Sequence, residues 1–131
     1  MPQSVATFLM FDGRAEEAMN MYVQAFEGSK VLMVEYYRAG EEGKEGSIKR
    51  AEFTVAGHSL MCIDSPATHA FSFTPSISLF VNCSDEAELE NAFATLSHGG
   101  EILMPLDNYG FSRRFAWVSD RFGVSWQLNL N

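Results

Sequence analysis

The chain has 131 residues, with 9 Lys+Arg against 17 Asp+Glu and a formal charge of −8. That length favours a single domain with an adequate core, and 47% hydrophobic with 13% aromatic residues excludes a disordered chain. The acidic balance argues against binding a phosphate backbone, and no apolar run approaches the ~18–20 residues of a membrane span.

Ser4 to Phe11 is a short apolar run closed by Asp12-Gly13, which predicts a strand. Ala15, Ala18, Met19, Tyr22, Val23 and Phe26 then recur at helical spacing. Asp12 is the expected cap of that helix, Glu16 and Glu17 suit its positive end, and Gly28 is the expected stop. Lys30 to Arg38 is β-branched and aromatic and reads as a second strand. Residues 39–47 are the most polar stretch and read as an exposed loop. Ile48 to Ala56, a turn at Gly57 and Ser59 to Asp64 read as a hairpin. A loop with Pro66 and Pro75 fills residues 65–75.

The order then repeats. Ser76 to Cys83 predicts a strand, and Leu89, Ala92, Phe93 and Leu96 predict a second amphipathic helix. Ser84 is its candidate cap, and Gly99-Gly100 should end it. Glu101 to Met104 is a short strand, and Phe111 to Ser119 and Ser125 to Leu130 form a closing hairpin around Gly123. The halves match at an offset of about 71, which sets Tyr22 on Phe93 and Gly28 on Gly99. Near their ends the offset drops to 66, with Gly57 on Gly123. The expected fold is therefore α+β, one domain over residues 1–131 made of two βαβββ repeats at about 1–66 and 74–131. Cys62 and Cys83 are two distant cysteines, which suits a reducing cytoplasm, with a Cys62–Cys83 bridge as the alternative to two buried thiols. The start, Met1-Pro2-Gln3-Ser4, shows no signal-peptide pattern.

Several stretches carry a family resemblance. They are Phe8-Leu9-Met10-Phe11-Asp12-Gly13-Arg14-Ala15-Glu16-Glu17-Ala18, Leu60 through Pro66, Phe73 through Val81, Gly99-Gly100 through Asp107, and Asp120 through Gln127. On these the chain resembles the vicinal oxygen chelate superfamily of glyoxalases, dioxygenases and fosfomycin and bleomycin resistance proteins. It is similar more narrowly to the PhnB-like branch, often labelled demethylubiquinone methyltransferase-like. The resemblance implies a cup-shaped mixed sheet built from two βαβββ modules. It also implies a homodimer and, in many members, a divalent metal held in the cup by His, Gln and Glu.

Carried over position by position, the resemblance puts the four metal-ligand places at Thr7, Met61, Ser78 and Gln127. Thr7 lies fifteen residues before Tyr22, and Gln127 lies four after Gly123. Two hydroxyls, a thioether and an amide are poor ligands for zinc, nickel or manganese. No metal and no cofactor are therefore expected. Strand alternation groups Ser125, Gln127 and Asn129 on one face of the last strand, and Ser78, Phe80 and Asn82 on one face of the fifth. These polar groups either line a small-molecule pocket or satisfy one another. The expected ligand-binding set is Thr7, Leu9, Met61, Ser78, Phe80, Trp117, Gln127 and Asn129.

The other candidates carry less. His58, His69 and His98 share no metal-ligand spacing, and Arg113 or Arg114 can pair an anionic ligand or a surplus carboxylate. The methyltransferase label finds no support, since no Gly-x-Gly-x-x-Gly follows the first strand and no parallel βαβ chain is predicted. The expected function is binding of a small molecule of unknown identity by a homodimer with a degenerate metal site, with no nucleic-acid or membrane partner. The alternative is a metal-dependent lyase, isomerase or dioxygenase of the same superfamily.

Overall fold

In the computed structural model, which describes residues 1–131, the apolar periodicities become two helices, each set against its own sheet. The chain runs β1 (Thr7–Phe11), α1 (Ala15–Ala25), β2 (Lys30–Tyr36), β3 (Ile48–Val55), β4 (His58–Asp64), β5 (Leu79–Asn82), α2 (Glu86–Ser97), β6 (Glu101–Asp107), β7 (Arg114–Ser119) and β8 (Ser125–Leu130). It divides into two compact units, Met1–His69 and Ala70–Asn131. Each unit is βαβββ with one four-stranded mixed sheet, ordered β1-β4-β3-β2 in the first and β5-β8-β7-β6 in the second. The two βαβββ modules expected from the repeat are the modules observed.

In the first unit β1 lies parallel to β4, with Leu9 opposite Cys62 and Phe11 opposite Asp64. The β3–β4 connection is a two-residue turn in which Ala56 and Gly57 both have positive φ, 48° and 87°. That is the turn whose twist matches paired antiparallel strands. Ala15, Ala18, Met19, Tyr22 and Ala25 of α1 are buried, as are Leu60 and Cys62 of β4. In the second unit Leu89, Ala92 and Leu96 of α2 are buried, as are Ala116, Val118, Trp126 and Leu128. Burying these apolar stripes is the main stabilising term for both layers, at roughly 25 cal/mol per Å² removed from water.

Both helix caps differ from the expectation. Asp12 does not cap α1, whose N-terminal residue Arg14 makes no side-chain cap bond. The acceptor comes instead from β4: Asp64 Oδ1 accepts from Gly13 N at 2.8 Å and from Ala15 N at 2.9 Å. Asp64 Oδ2 accepts from Ile48 N at 2.9 Å. On α2 the cap is Asp85 rather than Ser84, and its carboxylate accepts from Glu88 N at 2.8 Å. Glu88 reaches back past the cap and accepts from Ser84 N at 2.9 Å.

The strand ends shift for local reasons. β6 runs past Pro105 to Asp107, because it is an edge strand with irregular pairing between Met104 and Asp107, where a missing N–H breaks no ladder bond. β5 begins at Leu79, and β7 begins at Arg114 after a loop over residues 108–113. Residues 39–47 form the expected loop, which folds back on Tyr37. Gly43 lies so close that a Cβ there would sit 2.3 Å from the tyrosine ring.

Candidate functional site

In each unit the helix covers one sheet face, so a functional surface must be sought on the other. The face assignment follows from register, because residues directly opposite each other point the same way. In the second unit Phe80 is opposite Gln127 and Asn82 is opposite Asn129. Across the next ladder Trp117 is opposite Gln127, Phe115 opposite Asn129 and Ser119 opposite Ser125. The helix-covered face instead carries Trp126 and Leu128, opposite Val118 and Ala116. Phe80, Trp117, Gln127 and Asn129 therefore share the face turned away from α2, as strand alternation predicts. Ser78, just before β5, joins them through its hydroxyl.

These side chains form a connected network. Trp117 Nε1 donates to Ser125 Oγ at 2.8 Å, Ser125 Oγ and Ser78 Oγ are 2.6 Å apart, and Gln127 Nε2 donates to Ser78 Oγ at 3.2 Å. Asn129 Nδ2 donates to Asn82 Oδ1 at 3.0 Å and to Asn131 Oδ1 at 3.1 Å. The two readings of these groups are thus partly merged, since many of their hydrogen bonds are made to one another. Beside the network lies an aromatic cluster. Phe115 is buried under Phe111, Tyr109 and Phe80, with ring centroids 5.0, 6.1 and 6.3 Å away. Phe80 and Phe111 themselves remain 55% and 63% exposed, so this face offers aromatic surface to a ligand.

The first unit separates the remaining candidates. Thr7 is opposite Leu60, Leu9 opposite Cys62, and Phe8 opposite Met61. Leu60 and Cys62 face α1, since Asp64 two positions on caps that helix. Leu9 is accordingly core, at 7% exposure, and Thr7 lies on the same side with its hydroxyl 2.9 Å from His58 Nε2. Met61 faces the other way with Phe8 and Met10. The structure thus keeps Thr7 and Leu9 apart from Met61, and the helix-remote face of this sheet presents Phe8 and Met10 where Thr7 and Leu9 were expected. Alternation from Met61 and the β1–β4 register would have found Phe8, had the pairing been known.

The carried-over metal positions can be tested on their chemistry. Thr7 and Met61 point to opposite sides of one sheet, and Ser78 Oγ is already hydrogen-bonded to Ser125 and Gln127. No three His, Cys, Asp or Glu side chains converge as a ligand set. These residues do not fit a divalent metal. Nor do they fit an adenosyl cofactor of the doubly wound type. The turn after β1 gives its Gly13 and Ala15 N–H groups to Asp64, where a glycine-rich loop would receive a ligand.

The other sequence candidates are engaged in the fold. His69 Nε2 is 2.9 Å from Ser65 Oγ, and Arg114 pairs with Glu90 of α2 at 2.7 Å. Both cysteines are free and buried. Burial, and then the Asp64 charge, pushes the Cys62 thiol up to about 12, while burial and the Glu88 charge push Cys83 up to about 11. Neither is a nucleophile at neutral pH.

A family model described as 3-demethylubiquinone-9 3-methyltransferase matches residues 3–129. The chain belongs to this family. A solved PhnB protein from Bacillus cereus, bearing the same methyltransferase description, is 48% identical over 98% of this chain and 100% of its own, with a TM-score of 0.95. Protein PA1353 from Pseudomonas aeruginosa is 26% identical over 99% and 98%, with a TM-score of 0.85. The fosfomycin resistance protein FosX from Listeria monocytogenes is 11% identical over 100% and 94%, with a TM-score of 0.60, and shows a shared fold alone. None of the curated proteins matches. The chain is thus a PhnB-like family member with the glyoxalase-type fold. No helix in it is long and apolar enough to cross a membrane.

Proposed function

We propose that this PhnB-like chain is a small-molecule binding protein with a degenerate metal site. Its ligand lies on the helix-remote face of the second sheet, against Ser78, Phe80, Trp117, Gln127 and Asn129. One observation carries the reading: a hydrogen-bonding row and an exposed aromatic ring stand side by side on one face, Phe80 directly opposite Gln127. A few polar groups set in apolar surface is the composition of small-molecule sites. Met61, with Phe8, is the corresponding surface of the first sheet. Thr7 and Leu9 support structure rather than contact. The methyl transfer in the family's description finds no cofactor cradle among these residues.

The working form in this reading is a homodimer. It is supported by exposed apolar side chains on the outer strands, Val31 and Leu32 of β2 and Ile102 of β6. Light scattering should give twice the 14.6 kDa chain mass.

The binding reading is tested by screening aromatic fragments against isotope-labelled protein. The expected result is saturable shifts centred on Phe80, Trp117 and Gln127, unchanged after dialysis against a chelator. Absence of any shift at millimolar fragment overturns ligand binding. Stoichiometric metal that is lost in Gln127→Ala overturns the degenerate metal site.

A further inference from the structure

The hydrogen-bond directions on this face follow from the burial of Ser125 and the orientation of the Gln127 amide. Ser125 is 2% exposed, and its oxygen already accepts from Trp117 Nε1. Its hydroxyl hydrogen has one neighbour within reach, Ser78 Oγ at 2.6 Å. Leaving that hydrogen unpaired in a buried position would cost the desolvation of a polar group, so Ser125 donates and Ser78 accepts. Ser78 Oγ also accepts from Gln127 Nε2. Its two acceptor sites are then filled, and its own hydrogen is the one left over. Gln127 spends one amide hydrogen on Ser78, and its Oε1 accepts from no protein group. Both residues are only half-buried. The network therefore ends on the sheet surface in one unspent hydroxyl donor and one unspent amide acceptor, on adjoining side chains.

The surroundings of that pair narrow what it takes. Gln127 stands between Phe80 on β5 and Trp117 on β7, all on one face. Among the side chains named in this network no cation is present to balance an anion, and no carboxylate to balance a cation. A neutral planar group is the match. We infer that this face recognises a neutral aromatic ligand bearing a primary or secondary carboxamide, through Ser78 Oγ–H to the ligand carbonyl and the ligand N–H to Gln127 Oε1. The ring of the ligand rests against Phe80. This deepens the small-molecule reading above and rests on it.

The test compares three ligands of one ring system: 2-naphthamide, 2-naphthoate and 2-acetylnaphthalene. Each is titrated into the full chain while the backbone amides and the Gln127 side-chain amide are followed by NMR. Naphthamide is expected to bind about tenfold tighter than either of the others, the worth of one well-made neutral hydrogen bond. The Gln127 side-chain signals should move with it. In Gln127→Leu the preference should collapse to within about twofold, because the acceptor is gone while the apolar contact stays. Equal affinities for the three, or tightest binding of naphthoate, overturn amide recognition and leave small-molecule binding standing. If none of the three moves a signal at millimolar concentration, amide recognition falls as well, and the fragment screen decides separately whether binding falls with it. The comparison on the unsubstituted protein holds even if Gln127→Leu is unstable.

Discussion

Asp64 ties together three segments far apart in sequence. One oxygen holds the turn and first residue of α1, and the other holds the start of β3. Tyr37 adds a hydroxyl bond to the Asp64 carbonyl at 3.1 Å. A carboxylate accepting three backbone N–H groups inside the core is a strong, charge-assisted arrangement. Asp64→Asn keeps one oxygen but turns an amide N–H₂ toward a backbone donor. We expect a loss of about 2–3 kcal/mol in urea unfolding. Asp12→Ala, at the residue that sequence reasoning took for the cap, should change stability by no more than about 0.5 kcal/mol. A cap cannot be assigned from spacing alone when the acceptor arrives from another strand, and nothing near Asp64 in sequence announces its target.

At the scale of elements, α2 is capped locally, and its cap was nearly legible. Asp85 followed three residues later by Glu88 is a recognisable helix-start signal, and the expectation missed by one residue. Asp85→Ala should cost about 1 kcal/mol by chemical denaturation, with the helix end fraying first in hydrogen exchange.

The β1 slip is more instructive. The repeat offset of 71 holds for the helices, where buried Ala18 and Ala25 fall on Leu89 and Leu96. It fails for the strands before them. Tyr22 lies 13 positions after Leu9, whereas Phe93 lies 12 after Val81, and Leu9 and Val81 hold equivalent places opposite Cys62 and Leu128. The first strand-to-helix connection is one residue longer. Because strand side chains alternate, that single residue carries Thr7 and Leu9 to the helix side, while Ser78 and Phe80 stay on the other. The second-unit candidates were readable because Ser78, Phe80, Gln127 and Asn129 could be grouped within strands, without crossing a connection of unknown length.

For the whole molecule, the buried thiols and tyrosine set an alkaline limit. Cys62, Cys83 and Tyr37 all have their acid forms favoured by burial, so each ionises at higher pH in the folded chain than in the unfolded one. A group whose folded value is raised stabilises fully below its unfolded value and loses that contribution as pH rises toward the folded one. Stability should therefore be level near neutrality and fall from about pH 9 toward 11–12, by up to about 1.4 kcal/mol per pH unit for each thiol. Urea midpoints across this range check it, and a flat profile to pH 11 contradicts it. At pH 8 both thiols should react with a thiol reagent only as fast as the chain opens.

The sequence by itself determined the elements and their order. Apolar period and glycine punctuation are local signals, and a duplicated pattern of strand, helix and three strands admits few ways to bury its stripes. It also determined that Thr7, Met61, Ser78 and Gln127, the places the resemblance assigns to metal ligands, hold no imidazole or carboxylate, since that is a matter of residue type. Only the tertiary structure decided which acceptor caps α1, which side of β1 faces the helix, and which way the Ser125–Ser78–Gln127 hydrogen bonds run. Each of these depends on what stands opposite a residue across a ladder or beneath a helix, and partners tens of residues away leave no mark in local sequence.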